Sequence, residues 1–338
     1  MRENPNLKIH FINVNHGDAI IIEFPDYGTN PKKAHFGIVD FGAKKAEDRE
    51  HCKSYFESLV ELRKGNDNEL DYDIDFVCVT HPHDDHFGGL TRFMNEFRDK
   101  VKMFWDCGFR TNSITYNRII DEIGNNDDIT FVRVSAGAEF EFGNVRIFIL
   151  GPSIDLRNRF DTYGVGKNDA SIVLRIQLEK SSIILGADAE FASWGKITEE
   201  HPRRKTINFF NDALGMSERN EPSNQLKCDL LKVAHHGSKH GSTLEYLEIL
   251  KPNRIVYTAG DDNWYANNMQ NWANKFPHSL TKSIFSELKS NMKILNTGEV
   301  GNIIYTYKGN YGPVSTEPKK IKEKPNENNF KNALDQAW

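Results

Sequence analysis

An α/β fold is predicted for this chain by two observations. Short apolar, β-branched runs alternate with segments whose apolar residues recur at helical spacing. Several of those runs stop at an Asp or a His, where a sheet can hold a side chain rigidly and still expose it. The densest such burst is Thr80-His81-Pro82-His83-Asp84-Asp85-His86-Phe87-Gly88-Gly89, directly after Asp75-Phe76-Val77-Cys78-Val79. His81 and His83, two residues apart, can point the same way from an extended segment. Asp85 and His86 then turn back towards them as a helix begins. Three imidazoles and a carboxylate at this density suit zinc, manganese or iron better than calcium or magnesium. A His-rich polar loop is the bland alternative, but with 12 His in 338 residues an H-x-H-x-D-H run rarely arises by chance.

The elements follow in order. The runs at 7–14 and 19–24 flank Asn15-His16-Gly17-Asp18, a hairpin signature in which Gly17 relieves the turn. A strand at 36–39 ends in Asp40-Phe41-Gly42, and 45–65 reads as a solvated amphipathic helix. After the motif come a helix at 87–99, a strand at 101–105, a helix at 114–123 and strands at 129–134 and 145–150. Residues 151–168 read as a loop, followed by paired strands at 171–176 and 182–185 that run into Gly186-Ala187-Asp188-Ala189-Glu190. The stretch 191–226 is polar and weakly patterned, an insertion beside the site. A strand at 230–234 ends in His235-His236-Gly237-Ser238. A helix at 242–250, a strand at 254–258, a helix at 279–290 and strands at 292–296 and 302–307 complete the core. One domain over 1–312 is expected, with a Lys/Pro-rich tail at 313–338, mostly disordered apart from a last turn at 330–338. No repeat of 20–50 residues is visible.

Composition bounds the function. Hydrophobic content of 38% and 27% charged residues are ordinary for a globular protein that stays out of the membrane. No apolar run approaches the ~20 residues that span a bilayer, and Met1-Arg2-Glu3-Asn4 lacks the apolar core of a signal peptide. The net charge of −5 supplies no global attraction to nucleic acid, a local patch aside. Cys52, Cys78, Cys107 and Cys228 show no CxxC spacing and read as reduced, so the cytoplasm is the expected compartment.

Asp40, Asp188, His235 and His236 all stand at strand ends. Alone, each is a turn former or a hydrogen-bonded surface residue. Beside a strong ligand cluster they become candidates: a two-ion site needs a bridging carboxylate, which Asp188 can supply, with His236 or His235 as the closing imidazole.

With these segments in view, the chain resembles the metallo-β-lactamase fold superfamily, and within it the hydrolase domain of ComEC/Rec2-type DNA-uptake proteins. The matching segments are Asn15-His16-Gly17-Asp18-Ala19, Asp40-Phe41-Gly42, the His81–His86 run, Asn168-Asp169-Ala170-Ser171, Gly186–Glu190 and Ala234-His235-His236-Gly237-Ser238, spread over residues 8 to about 308. The resemblance implies a four-layer αββα sandwich with two divalent ions, zinc or manganese, at one edge between the sheets. His81 and His83 would hold one ion, Asp85, His86 and His236 the second, and Asp188 would bridge. Asp40 would orient a histidine through its ring N–H. Many relatives carry a further metal-binding His just before the strand at 171. Lys167-Asn168-Asp169 stands there, which leaves Asp169 or Asn168 to serve the first ion. Redox di-iron relatives usually have a carboxylate where His83 stands, so hydrolysis is implied.

Two ions lower the pKa of a bound water towards 7 and neutralise charge on the bond being broken. Asp85 would orient that water. Lys232, Lys239 and His240 lie near His236 as cations for a phosphodiester, and His278 could protonate the leaving group. The catalytic candidates are therefore Asp85, His235, His278 and Lys232. A phosphodiesterase or nuclease acting on a phosphodiester or nucleic-acid substrate is the first expectation. A hydrolase of lactones, lactams or thioesters and a non-catalytic metal-binding sensor are the alternatives.

Overall fold

The computed structural model of the chain describes residues 5–28, 33–43, 45–64, 71–109, 111–159, 165–200, 226–268, 275–288, 292–308 and 311–316. The first sheet has eight strands in the order β15-β14-β1-β2-β3-β4-β5-β6. These are β1 (Leu7–Phe11), β2 (Ala19–Glu23), β3 (Lys33–Phe41), β4 (Asp71–Val79), β5 (Val101–Asp106), β6 (Thr130–Arg133), β14 (Ile303–Lys308) and β15 (Tyr311–Thr316). The second has seven, ordered β13-β12-β11-β10-β9-β8-β7. They are β7 (Glu139–Phe142), β8 (Val145–Gly151), β9 (Val173–Leu178), β10 (Ser181–Leu185), β11 (Leu230–Lys232), β12 (Arg254–Tyr257) and β13 (Lys293–Asn296). Each half opens with antiparallel strands and goes on with parallel ones, β3 to β6 and β10 to β13. This shared plan leaves no repeat in the sequence, because the two halves reuse a topology and not residues.

Side-chain alternation sets the layers. In β4, Phe76 and Cys78 join Trp105, Leu174 and Ile183 in a core between the sheets. Val77 and Val79 face the other way, onto Phe56, Leu59, Phe93 and Tyr116 of the helices Ala46–Lys64, Leu90–Phe97 and Ile114–Gly124. A third core packs Trp194, Tyr246, Leu247 and Phe285 on the far side of the second sheet, against Ile184 and Leu231. Three apolar layers between four sets of elements make the expected αββα sandwich.

Several boundaries differ from the sequence reading. The hairpin strand β7 was not expected, and the stretch read as a loop contains the helix Ile154–Asn158, capped by the Ser153 side chain. The insertion begins as a regular helix, Phe191–Glu200, which buries Trp194 and Ile197; residues 201–225 lie outside the described residues. The helix Asp262–Asn268 was also missed. Strand β15 pairs with β14 past the expected boundary at 312, and the tail from 317 to 338 lies outside the described residues. Among the described residues no helix is long and apolar enough to cross a membrane.

One buried charge cluster sits far from the motif, between β1, β2 and the helix Ala46–Lys64. Glu23 lies 3.3 Å from Lys8 Nζ, 3.5 Å from His10 Nε2 and 3.7 Å from Arg63 Nε. Burial alone pushes the Glu23 carboxyl up, but the His10 contact and the Lys8 charge outweigh it and hold the pKa at about 2. An ordinary Glu titrates near ~4.3, so this stabilisation is complete above that pH and is lost as pH falls from there towards 2. The group is worth about 3 kcal/mol. In denaturant titrations at pH 7, 4 and 2.5, Glu23→Gln is expected to be clearly weaker than the parent at pH 7, and the gap should shrink to about a quarter of that by pH 2.5. A constant gap would assign the loss to packing.

Candidate metal centre

The predicted ligands other than Asp169 converge at the carboxyl ends of β4, β10 and β11, beside the ends of β3 and β12, from loops held by backbone hydrogen bonds. Asp18 N donates to Asp85 O at 2.9 Å, and Gly42 N donates to Asp18 O at 2.7 Å. A Cβ on Gly42 would fall 1.6 Å from Asp85 O, and one on Gly17 2.6 Å from it. Glycine is therefore required at both positions for the motif loop to seat against the first hairpin. Asn15, Asp40, Ala187, His235 and His236 all take positive φ. Such conformations are costly for residues with a Cβ and tend to collect at functional sites.

Asp188 is the centre of the arrangement. Its Oδ1 lies 3.2 Å from His86 Nε2 and 3.5 Å from His236 Nε2, while its Oδ2 lies 3.7 Å from His81 Nε2. His81 Nε2 and His83 Nδ1 are 3.0 Å apart. Asp85 Oδ2 lies beside the second group, 3.7 Å from His236 Nε2, in a further set that includes His16. Two donors bound to one ion at tetrahedral angles sit roughly 3.4 Å apart, so these spacings are those of ligand sets. His86 Nε2, His236 Nε2 and Asp188 Oδ1 are buried and have no hydrogen-bond partner among the described residues. Unpaired buried polar atoms cost about 1–3 kcal/mol each, and a divalent cation satisfies all three at once. The residues fit metal ions.

The outer nitrogens are held in place. His86 Nδ1 donates to Asp40 Oδ2 at 2.7 Å, and Asp40 is fixed in turn by Thr80 N and Thr80 Oγ1, both at 2.7 Å. His236 Nδ1 donates to the Thr258 carbonyl at 2.8 Å, which leaves its Nε2 as the lone-pair nitrogen. Burial pushes the His81 and His83 pKa values down and takes that of His236 to about 3, so all three imidazoles are neutral at pH 7. For His86 burial acts in the same direction, but Asp188 and then Asp40 outweigh it and raise the pKa. Burial would raise Asp188, yet His86 and His236 hold it well below the usual carboxylate range.

Four sequence candidates need correction or reassignment. Asp169 stays outside the cluster, because its Oδ1 accepts from Ser193 N at 2.9 Å at the start of the helix Phe191–Glu200. Lys232 is fully buried and pairs with Asp18 beneath the site, so it faces no substrate. His278 sits at the start of the helix Ser279–Leu288, where its Nδ1 accepts from Leu280 N at 3.2 Å. His235 does join the centre, with Nε2 3.8 Å from Asp188 Oδ2.

His16 was missed as a site residue. Its Nε2 is 3.3 Å from Asp85 Oδ2, its Nδ1 is 3.1 Å from the Tyr265 hydroxyl, and its ring stacks between Trp264 and Phe276. Nothing local in Asn15-His16-Gly17 says that this imidazole meets Asp85.

The sequence matches the metallo-beta-lactamase superfamily over residues 61–259, a span that contains every residue from His81 to His236 named above. The chain belongs to that superfamily. It is also 20% identical over 314 residues to ComE operon protein 3 of Bacillus subtilis, covering 92% of this chain and 34% of that protein. The chain thus spans about a third of the length of this curated relative. Solved superfamily-fold structures include YhfI of Bacillus subtilis, 9% identical with a TM-score of 0.45 over 89% of this chain and 100% of that one. The diiron beta-hydroxylase CmlA of Streptomyces venezuelae is 13% identical, with a TM-score of 0.42 over 88% of this chain and 53% of that one.

Proposed function

We propose that the chain is a metal-dependent phosphodiesterase or nuclease that uses two divalent ions, zinc or manganese, in the cytoplasm. The observation that carries this reading is the division of Asp188: one oxygen faces His86 and His236, the other His81. A carboxylate shared in this way suits two neighbouring ions, and a two-ion clamp suits the attacking and leaving oxygens of a phosphodiester. When bound, the ions supply an acidified water and offset charge in the transition state. His81, His83 and Asp188 would hold one ion; His86, His236, Asp85 and Asp188 would hold the other. Asp40 and the Thr258 carbonyl keep the ligand imidazoles in the tautomer that offers Nε2 inward. His16 holds Asp85 at the open side of the cluster. The similarity to ComE operon protein 3 across 92% of the chain accords with the resemblance to ComEC/Rec2-type hydrolase domains, on which the preference for a phosphodiester rests. The four free, buried cysteines accord with a reducing compartment.

Metal-loaded protein offered DNA, RNA, cyclic nucleotides and bis-p-nitrophenyl phosphate is expected to cleave at least one of them. His83→Ala should lower that rate by about 10²-fold or more. Cleavage of none, or a rate indifferent to His83, would remove the proposal. A lactone or thioester panel run beside it covers the carbonyl reading, which the exposed Phe191 and the Trp264 and Phe276 rings near the site favour.

A further inference from the structure

We infer that His235 is a ligand to the first ion, completing a donor set of His81 Nε2, His83 Nδ1 and Asp188 Oδ2. The inference rests on the two-ion reading above and adds a residue to it. Without His235 the first group has three protein donors, and Asp169, the other candidate, is committed to Ser193 N.

His235 (φ 49°, ψ 49°) and His236 (φ 52°, ψ 18°) are consecutive left-handed residues, followed by Gly237 at φ +86°. One such residue with a Cβ is uncommon, and two in a row must be compensated by their surroundings. The turn is fixed by His235 N donating to Ala187 O at 2.9 Å and Ser238 N donating to His235 O at 2.7 Å. Its effect is to bring neighbouring imidazoles to the two different oxygens of one carboxylate. His236 Nε2 lies 3.5 Å from Asp188 Oδ1 and His235 Nε2 3.8 Å from Asp188 Oδ2. The second figure matches the 3.7 Å between His81 Nε2 and that same oxygen.

His235 Nδ1 donates to Glu190 Oε1 at 2.7 Å, and Asn168 Nδ2 donates to that oxygen at 3.0 Å. A carboxylate only accepts, so Nδ1 carries a proton, which leaves Nε2, facing Asp188, as the nitrogen able to ligate a cation. His86 and His236 show the same pattern, with the outer nitrogen anchored and Nε2 turned inward. Phe276 stacks on the His235 ring at 5.6 Å and 28°, which fixes its plane. Asn168 and Glu190 thus serve the first ion indirectly, by positioning an imidazole contributed from the following loop.

The test is metal binding, read by elemental analysis and by zinc titration calorimetry on the full chain, with circular dichroism to confirm folding. The parent protein is expected to bind two ions. His235→Ala should keep the second ion and bind the first about a hundredfold more weakly, and Glu190→Gln should weaken the same step by about 10–100-fold. Should His235→Ala fail to fold, Glu190→Gln carries the test. Two ions held at parent affinity by a folded His235→Ala, or by Glu190→Gln in its place, overturn the assignment and leave the two-ion centre intact. Fewer than one ion on the parent protein overturns both.

Discussion

Replacing Asp188 with alanine is expected to strip the protein of both ions and to lower hydrolysis by on the order of 10³-fold or more. Among the described residues no other is placed to serve both groups, since His86 and His236 meet its Oδ1 while His81 meets its Oδ2. Without it the first group falls to two imidazoles and, on the inference above, a third. The second keeps His86, His236 and Asp85 but loses its innermost anion. Asp188→Asn separates charge from shape. The amide retains one acceptor oxygen, but its NH₂ cannot ligate, so at most one ion should remain. The carboxylate also sets the protonation of its neighbours. Burial lowers His86, and Asp188 followed by Asp40 reverses that, so the His86 pKa should fall in Asp188→Ala, as a ring-proton titration by NMR on metal-free protein would show. Two tightly bound ions in Asp188→Ala would place the centre elsewhere.

Much of this centre was legible in the chain because its densest part is local. His81, His83, Asp85 and His86 lie within six residues at the end of a predicted strand, and the strand-end rule picked out Asp188 and His236. The failures have physical causes. Asp169 looked like a ligand because it precedes a strand, yet its carboxylate satisfies amides at a helix start that a polar, weakly patterned segment did not announce. Choosing between His235 and His236 needed the left-handed turn, which no propensity rule predicts for two histidines. Lys232 was misread although the signal was present. Leu230 faces the core between the sheets and Leu231 the helices, so the two-residue period puts Lys232 inward as well. The same period in Glu139-Phe140-Glu141-Phe142, followed by Gly143, would have revealed β7. Tyr265, which holds His16, lies in a helix that buries little else, and such a helix leaves hardly any pattern to read.

The inward Lys232 leads to the second large effect. Lys232→Met is expected to destabilise the metal-free protein by about 3–5 kcal/mol, the cost of leaving a buried charge without its partner. Lys232 Nζ donates to the Asp18 carboxylate and to Ala187 O at 3.0 Å, and Thr258 Oγ1 donates to the other Asp18 oxygen. Asp18 is 1% exposed and Lys232 not at all. Burial would raise the Asp18 carboxyl, but Lys232, then His236 and His86, hold it below its ordinary value. The pair joins the loop after β1 to β11 and so fastens one sheet to the other directly under the ions. His236 Nδ1 and His86 Nδ1 stand only 3.6 and 3.8 Å from Asp18, so an unpaired anion there would also pull on both ligand rings. The double variant Asp18→Asn with Lys232→Met removes both charges and should recover a large part of the loss, because the desolvation of each ion disappears with it. Denaturant unfolding of the four proteins in the presence of a chelator completes the cycle. A single variant within about 1 kcal/mol of the parent would mean that water reaches Asp18 and that the sheets are joined there by apolar packing alone.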